Sequence, residues 1–217
     1  MNSMNIDIAP AVFLVLLCHG IFLSFFFFIH CGWNLNANFF LGLLLFVISM
    51  LALVQIIYQS LIFYDPQYNY LAELLISPFL FLYNSIRMQL AVTVRWHVPL
   101  VVILINVLLF YFIGIVTGPL YIVLIVTFIL LNGLFLYGSF CLLFALITKS
   151  GGHWKYLAIM EYQGIIVINL LTSGIIIISI VFYMIRAIET SYILIFSKCL
   201  VICYIYYLIL KKAGCDR

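Results

Sequence analysis

Long apolar runs alternate with short polar stretches along this chain, and the runs predict membrane-spanning helices. Six runs qualify, covering about residues 11–30, 39–63, 98–115, 120–147, 157–185 and 193–210. Their length matches the roughly 20 residues that a helix needs to cross the hydrocarbon core of a bilayer. Polar and apolar residues do not alternate within them, which argues against barrel strands. Because backbone groups in lipid must pair within their own segment, we expect helices even where Ile, Val and Phe abound.

Composition supports this interpretation and excludes other classes of protein. The chain has 217 residues, of which 68% are hydrophobic and 7% are charged. Its mean hydropathy is +1.35. A soluble domain carries about 25% charged residues, so a soluble enzyme, a nucleic-acid-binding protein and a disordered chain are excluded. We expect one all-α, polytopic transmembrane domain over residues 1–217, surrounded by the lipid bilayer.

Basic residues gather on one side of the six predicted spans. Seven of the nine Lys and Arg follow the second, fourth and sixth spans: Arg87, Arg95, Lys149, Lys155, Lys211, Lys212 and Arg217. Arg186 follows the fifth span, and Lys198 lies just inside the sixth, from where we expect its side chain to snorkel to the far interface. The positive-inside rule then places both termini on the cytoplasmic or matrix side. Five or seven spans would be expected to break this alternation.

The longest polar stretch, between the second and third spans, predicts a short amphipathic helix on the basic side. Three leucines stand at i, i+3 and i+4 and form an apolar stripe: Leu71, Leu74 and Leu75. Glu73 lies off that stripe, and Pro78 is expected to end the helix. Two interpretations stay open, a docking helix for a cytoplasmic partner or a helix that lies on the membrane surface. Residues 79–97 either re-enter the membrane partway or extend the third span.

Two segments resemble the CcmB family, haem exporter protein B. The first reads Asp65-x-Gln67-x-x-x-Leu71-x-x-Leu74-Leu75-x-Ser77-Pro78 and is followed at a fixed distance by Val98-Pro99-Leu100. The second is Lys149-Ser150-Gly151-Gly152, which stands where the family has a basic pair followed by Gly-Gly between the fourth and fifth spans. The resemblance covers about residues 60–185. Six spans in a chain of this length agree with the family.

The resemblance implies a membrane subunit similar in build to those of type 2 ABC exporters, acting in cytochrome c maturation. Its partners would be a separate CcmA-like ATPase and CcmC-like and CcmD-like membrane proteins, and a homodimer is expected. Haem would be a handled substrate and no resident cofactor or metal is expected. The ATPase-coupling residues would be Asp65, Gln67, Leu71, Glu73, Leu74, Leu75, Ser77 and Pro78, with Lys149, Gly151 and Gly152 in a second inside loop. G-x-x-x-x-G-K-[ST] is absent from the chain, so any ATP hydrolysis belongs to a partner.

Glu161 is a further candidate, because it lies about four residues into the fifth span. An acidic residue within a membrane span is a functional hypothesis by default. Glu161 either pairs with Lys149 or Lys155 at the interface or forms a polar site for a proton or substrate.

An alternative function is an organelle-encoded structural subunit of a mitochondrial respiratory complex. The chain is rich in Phe, Ile, Tyr and Leu, which is typical of the AT-rich genomes of mitochondria and endosymbionts. We therefore expect the mitochondrial inner membrane or a bacterial inner membrane as its location.

Overall fold

The computed structural model of the chain describes residues 8–31, 37–59, 66–87, 97–149, 159–185 and 191–215. Within these ranges all regular secondary structure is helical. The elements are α1 (Ile8–Cys31), α2 (Ala37–Gln59), α3 (Pro66–Ala72), a 3₁₀ turn (Glu73–Leu75), α4 (Ile76–Arg87), α5 (His97–Ile113), α6 (Pro119–Lys149), α7 (Ile159–Met184) and α8 (Ser191–Cys215). The six predicted helices are confirmed as α1, α2 and α5 to α8.

Three helices are long and apolar enough to cross a membrane. The qualifying stretches are Asn38–Ile57, Pro119–Ala145 and Gly164–Met184, with mean hydropathies of 2.7, 2.4 and 2.7. Shorter apolar stretches lie in α1, α5 and α8: Phe13–Ile29, Val101–Ile113 and Ile193–Ile209. Their length and composition suit an integral membrane protein.

One continuous helical run, here called the central helix, comprises α3, the 3₁₀ turn and α4. Pro66 opens it, at a position where the fixed φ of proline is favourable and no N–H is required. Pro78 lies in the first turn of α4, where proline is tolerated, and the helix continues to Arg87. The prediction that the helix ends at Pro78 is therefore wrong.

The 3₁₀ turn can be understood from this proline. Pro78 has no N–H to offer the carbonyl of Leu74, four residues earlier. The chain is tightened just before it, and the N–H of Ile76 bonds to the carbonyl of Glu73. A 3₁₀ residue advances about 120° where an α-helical residue advances about 100°, so three of them rotate the following helix face by about 60°. Glu73 and Ser77 consequently contact different neighbouring helices.

The central helix lies in the core of the bundle and not on its surface. It packs against α2, α5, α6 and α7. Its largest fully buried side chains are Tyr70, Leu71, Leu74, Ile76 and Leu80. Glu73 is buried as well. The expected surface helix, with an apolar face on one side and Glu73 off it, is therefore wrong, because both faces contact protein.

Contacts along the central helix show that it runs antiparallel to α7. The ring of Tyr70 packs edge-on against Phe182, with centroids 5.8 Å apart. Fourteen residues further on, Asn84 bonds to Asn169, which lies thirteen residues before Phe182 on α7. Nearly equal residue counts between the two contacts mean that the two helices lie side by side over about 20 Å.

The other helices alternate in direction in the same way. Four pairs of neighbouring helices are antiparallel: α1 with α2, α2 with α8, α5 with α6, and α7 with α8. The contacts that show this are, in the same order, Phe28–Phe39, Gln55–Lys198, Phe110–Phe128 and Gly164–Leu208. The central helix and α6 run parallel, since Ser77 bonds to Asn132 and Phe81 packs on Phe135. The turn from α5 to α6 uses Gly118, whose φ of +78° lies in the left-handed region that favours glycine.

These directions give the bundle two distinct ends. At one end, here called the basic end, α4 and α6 finish at Arg87 and Lys149, α8 finishes beyond Lys211 and Lys212, and α2, α5 and α7 begin. At the opposite end α2, α5 and α7 finish, and the central helix, α6 and α8 begin.

Candidate functional site

Buried polar side chains cluster around the central helix. They are contributed by every helix that the central helix touches: Gln55, Asn69, Glu73, Ser77, Asn84, Asn106, Asn132, Asn169 and Lys198. Among the residues that the structure describes, Glu73 and Lys198 are the charged residues with buried side chains. Such a set inside an apolar bundle is the strongest candidate for a functional site.

A buried ion pair joins three helices. The Lys198 ammonium, on α8, donates to Glu73 Oε1 on the central helix and to Gln55 Oε1 on α2, the latter at 3.0 Å. The side chains of Lys198 and Glu73 are 0% and 2% exposed. The expectation that Lys198 snorkels to the interface is wrong, because an acceptor within the core satisfies it.

One side of this pair is left open. Glu73 Oε2 is buried and has no hydrogen-bond partner among the described residues. Asn69, one turn earlier on the same helix, likewise has a buried Nδ2 without a partner there. A carboxylate can accept at both oxygens, so the ion pair engages one of the two carboxylate oxygens of Glu73.

A chain of polar contacts follows toward the basic end. Ser77 Oγ donates to Asn132 Oδ1 at 2.7 Å, and Asn132 Nδ2 donates to Asn106 Oδ1 at 2.9 Å. Asn132 Nδ2 also donates to the carbonyl of Phe128 at 2.8 Å. These bonds connect the central helix to α6 and α5, as interhelical bonds do in membrane bundles.

A reciprocal amide pair lies still closer to the basic end. Asn84 Nδ2 donates to Asn169 Oδ1 at 2.6 Å, and Asn169 Nδ2 donates back to Asn84 Oδ1 at 2.9 Å. Asn169 Nδ2 also donates to the carbonyl of Ile165 at 2.8 Å. The two amides thus satisfy each other and fix the central helix against α7.

The residues proposed for ATPase docking fall mostly in the protein core. Leu71, Glu73, Leu74, Ser77 and Pro78 are buried, and Gln67 and Leu75 are half-buried. Other parts of the chain therefore cover the apolar side of the leucine stripe, and its docking role stays a prediction.

The remaining predicted residues are less defined by the structure. Lys149 is the last residue of α6, at the basic end. Asp65, Gly151 and Gly152 lie outside the described residues, as do the side chains of Lys149 and Glu161. The alternative roles of Glu161 therefore stay predictions.

Lys198, Gln55 and the asparagine contacts were not recognised from the sequence. One signal was present: Asn69, Glu73 and Ser77 recur every four residues, and Asn84 returns to the same face two turns later. This spacing marks one polar helix face, which in a chain of this hydropathy must face protein or water. Its partners on α6, α7 and α8 lie 55 to 125 residues away. Asn169 indicated a buried face of its own helix, but the sequence does not reveal which residues pair.

The chain matches no protein-family model, no curated protein and no solved structure among those compared.

No cluster of three His, Cys, Asp or Glu that could hold a metal occurs in the described part of the chain. Chemically, the site offers one ammonium, one carboxylate with a free oxygen, and amides that hold helices together.

Proposed function

We propose that the chain crosses the membrane seven times, with its C terminus inside, on the cytoplasmic or matrix side. The seventh crossing is the central helix. Its seven, three and twelve residues in α3, the 3₁₀ turn and α4 rise about 34 Å at 1.5 Å and 2.0 Å per residue. A hydrocarbon core of about 30 Å is matched by that length. Its polar side chains are tolerable there because the other helices cover them.

The charge pattern supports seven crossings as well as it supports six. No Lys or Arg precedes Arg87 in the sequence. If the central helix crosses the membrane, only residues 1–65 change their orientation in it, and these residues include no Lys or Arg. All seven basic residues that indicated the inside still belong to the basic end or to the segments that follow it. The expectation that an odd number of spans breaks the alternation therefore does not apply.

The location of the termini tests this topology. Epitope tags at the N and C termini of the full chain, probed with protease in sealed inner-membrane vesicles, should be cleaved from opposite sides. Tags cleaved from the same side would contradict seven crossings and restore the six-span arrangement with both termini inside.

For activity, we propose a non-catalytic subunit of an ABC-exporter-type complex that acts in cytochrome c maturation and handles haem as substrate. The sequence resemblance of residues 65–78 and 149–152 to the CcmB family supports this proposal, although seven crossings exceed the six expected from that family. The observation that carries it further is the position of Lys149 at the basic end, where α4 also finishes at Arg87. On this topology a soluble ATPase would approach the basic end, and its contacts would be made there and not through Leu71 and Leu74.

Co-purification tests the proposed partner. Lys149→Glu combined with Lys155→Glu reverses charge at the proposed docking end, and Arg186→Glu reverses charge at the opposite end as a matched control. The double variant should lose the ATPase subunit and mature cytochrome c, whereas the control should keep both. Retention of the ATPase by the double variant would contradict docking at the basic end. Co-purification of oxidoreductase subunits without any ATPase would replace the proposal with the respiratory-complex alternative.

A further inference from the structure

The Glu73–Lys198 pair lies closer to the opposite end of the bundle than to the basic end. Lys198 lies seven residues after the start of α8, and Glu73 lies seven residues after the start of the central helix, so each is about 10 Å from the opposite end. Gln55 lies four residues before the end of α2, about 6 Å from the same end. Toward the basic end, fourteen residues separate Glu73 from Arg87, or about 21 Å.

A proton can bind Glu73 Oε2 while the Lys198 ammonium stays bonded to Oε1, although the buried ammonium is then left without a counter-ion. Oε1 of Glu73 accepts from the Lys198 ammonium, while Oε2 has no partner among the described residues. A proton that binds Oε2 forms a new O–H bond and converts the carboxylate to a carboxylic acid. The ammonium keeps its three protons and its bond to Oε1, so the site changes from net neutral to a charge of +1. Loss of the same proton restores the ion pair.

Other groups at this level do not compete for that proton. Glu73 and Lys198 are the buried charged residues of the described chain. The ionisable side chains closest in sequence to the pair are Tyr70 on the central helix and Cys199 beside Lys198. On α7, Tyr183 follows Phe182, which packs on Tyr70. Phenols and thiols ordinarily keep their protons near neutral pH. The part of α6 at this level, residues 124–132, contains no ionisable side chain, and α2 contributes the uncharged Gln55.

Between the Glu73–Lys198 pair and the basic end, the buried polar side chains are asparagines that bond to one another. Asn132 and Asn169 each direct their Nδ2 to a partner asparagine and to a carbonyl of their own helix. Amides do not take up or release protons in the ordinary pH range, and the reciprocal Asn84–Asn169 pair leaves its members engaged with each other. Between Ser77 and Asn84 the central helix carries buried apolar side chains such as Phe79 and Leu80.

We propose that Glu73 Oε2 is a proton-exchange site that communicates with the opposite end of the bundle and is closed from the basic end by the asparagine contacts. This activity is separate from partner docking and does not depend on the identity of the complex. On the proposed topology the site would respond to the pH of the outer compartment and not to that of the cytoplasm or matrix.

Infrared spectroscopy of the reconstituted full chain tests the chemistry without altering the site. The chain has three glutamates, Glu73, Glu161 and Glu189. In the variant Glu161→Gln with Glu189→Gln, a carboxyl-¹³C glutamate label resides on Glu73 alone. Acidification should produce the ¹³C-shifted C=O band of a protonated carboxylic acid, and Glu73→Gln added to this variant should abolish it. A labelled carboxylate that stays ionised over the whole pH range in which the protein remains folded would overturn the proposal.

Sealed vesicles of uniform orientation test the sidedness. The orientation is selected by capturing the tag at the C terminus, and the pH is stepped on one side at a time. The labelled band should follow a step on the side of the opposite end and should not follow a step on the side of the basic end before the gradient decays. A band that follows the basic end, or both ends equally, would refute the one-sided site.

Discussion

Removing the ammonium of Lys198 should strongly destabilise the bundle. In Lys198→Met the side chain keeps a similar length, but the Glu73 carboxylate loses its counter-ion, and Gln55 Oε1 loses the donor that lies at 3.0 Å. Both side chains of the ion pair are essentially inaccessible, at 0% and 2% exposure, so water cannot replace the lost contacts. Breaking one partner of a buried pair costs about 3–5 kcal/mol, which corresponds to roughly a 150- to 5,000-fold rise in the unfolded fraction.

The double variant decides whether that cost belongs to the unpaired charge. Lys198→Met with Glu73→Leu removes both charges and fills the space with apolar groups, which is often neutral or stabilising. We therefore expect it to recover most of the stability lost by Lys198→Met. Unfolding by SDS titration in mixed micelles, followed by far-UV circular dichroism, gives the four free energies of the mutant cycle. Ser197→Ala, at the half-buried neighbouring position on α8, should stay within about 0.5 kcal/mol of the parent. Additive costs for the two single substitutions would refute the buried pair.

Two further predictions concern helix packing and use the same titration. Gly138→Ala should destabilise the protein by about 1–3 kcal/mol, because a Cβ there would meet Phe81 Cε2 at 2.7 Å. The control Gly133→Ala, on the same helix, meets nothing within 4 Å and should stabilise the protein slightly. Equal effects of the two substitutions would contradict the α4–α6 contact. Asn84→Leu should cost up to about 1.7 kcal/mol, and its combination with Asn169→Leu should cost less than the sum of the two single changes, while strict additivity would contradict the amide pair.

The six apolar helices were predictable because their sequence signal is local. A run of about 20 apolar residues specifies a helix in lipid without reference to the rest of the chain. The predicted 120–147 and the observed Pro119–Lys149 differ by one or two residues at each end, which is the usual variation in helix boundaries.

The central helix was not predictable in the same way, because its polar residues depend on distant partners. Asn69 and Glu73 read as part of a surface segment as long as their neighbours in space are unknown. Lys198, which neutralises Glu73, lies 125 residues later, and in the sequence it is a lone cation near the beginning of an apolar run. The polar period of four residues was visible, but the pattern alone does not reveal whether that face meets water or other helices.

The orientation of the first two helices shows a second physical reason for the ambiguity. The positive-inside rule depends on Lys and Arg, and the first of these is Arg87. Residues 1–65 therefore carry no charge information that could distinguish an N terminus inside from one outside. Their direction is set instead by the central helix, because α2 must deliver the chain to the end of the bundle where Pro66 begins it.

This dependence makes assembly around the central helix a cooperative step. A helix that carries Asn69, Glu73, Ser77 and Asn84 is unfavourable in lipid on its own. Burying each polar group there without a partner costs several kcal/mol. Its partners come from α2, α5, α6, α7 and α8, so the cost is offset only when helices from both halves of the chain have gathered. The most polar of the described helices thus occupies the middle of the bundle, and the more apolar α5 and α6 face outward. This arrangement pairs the charges and, on the proposed topology, directs the apolar surfaces to lipid.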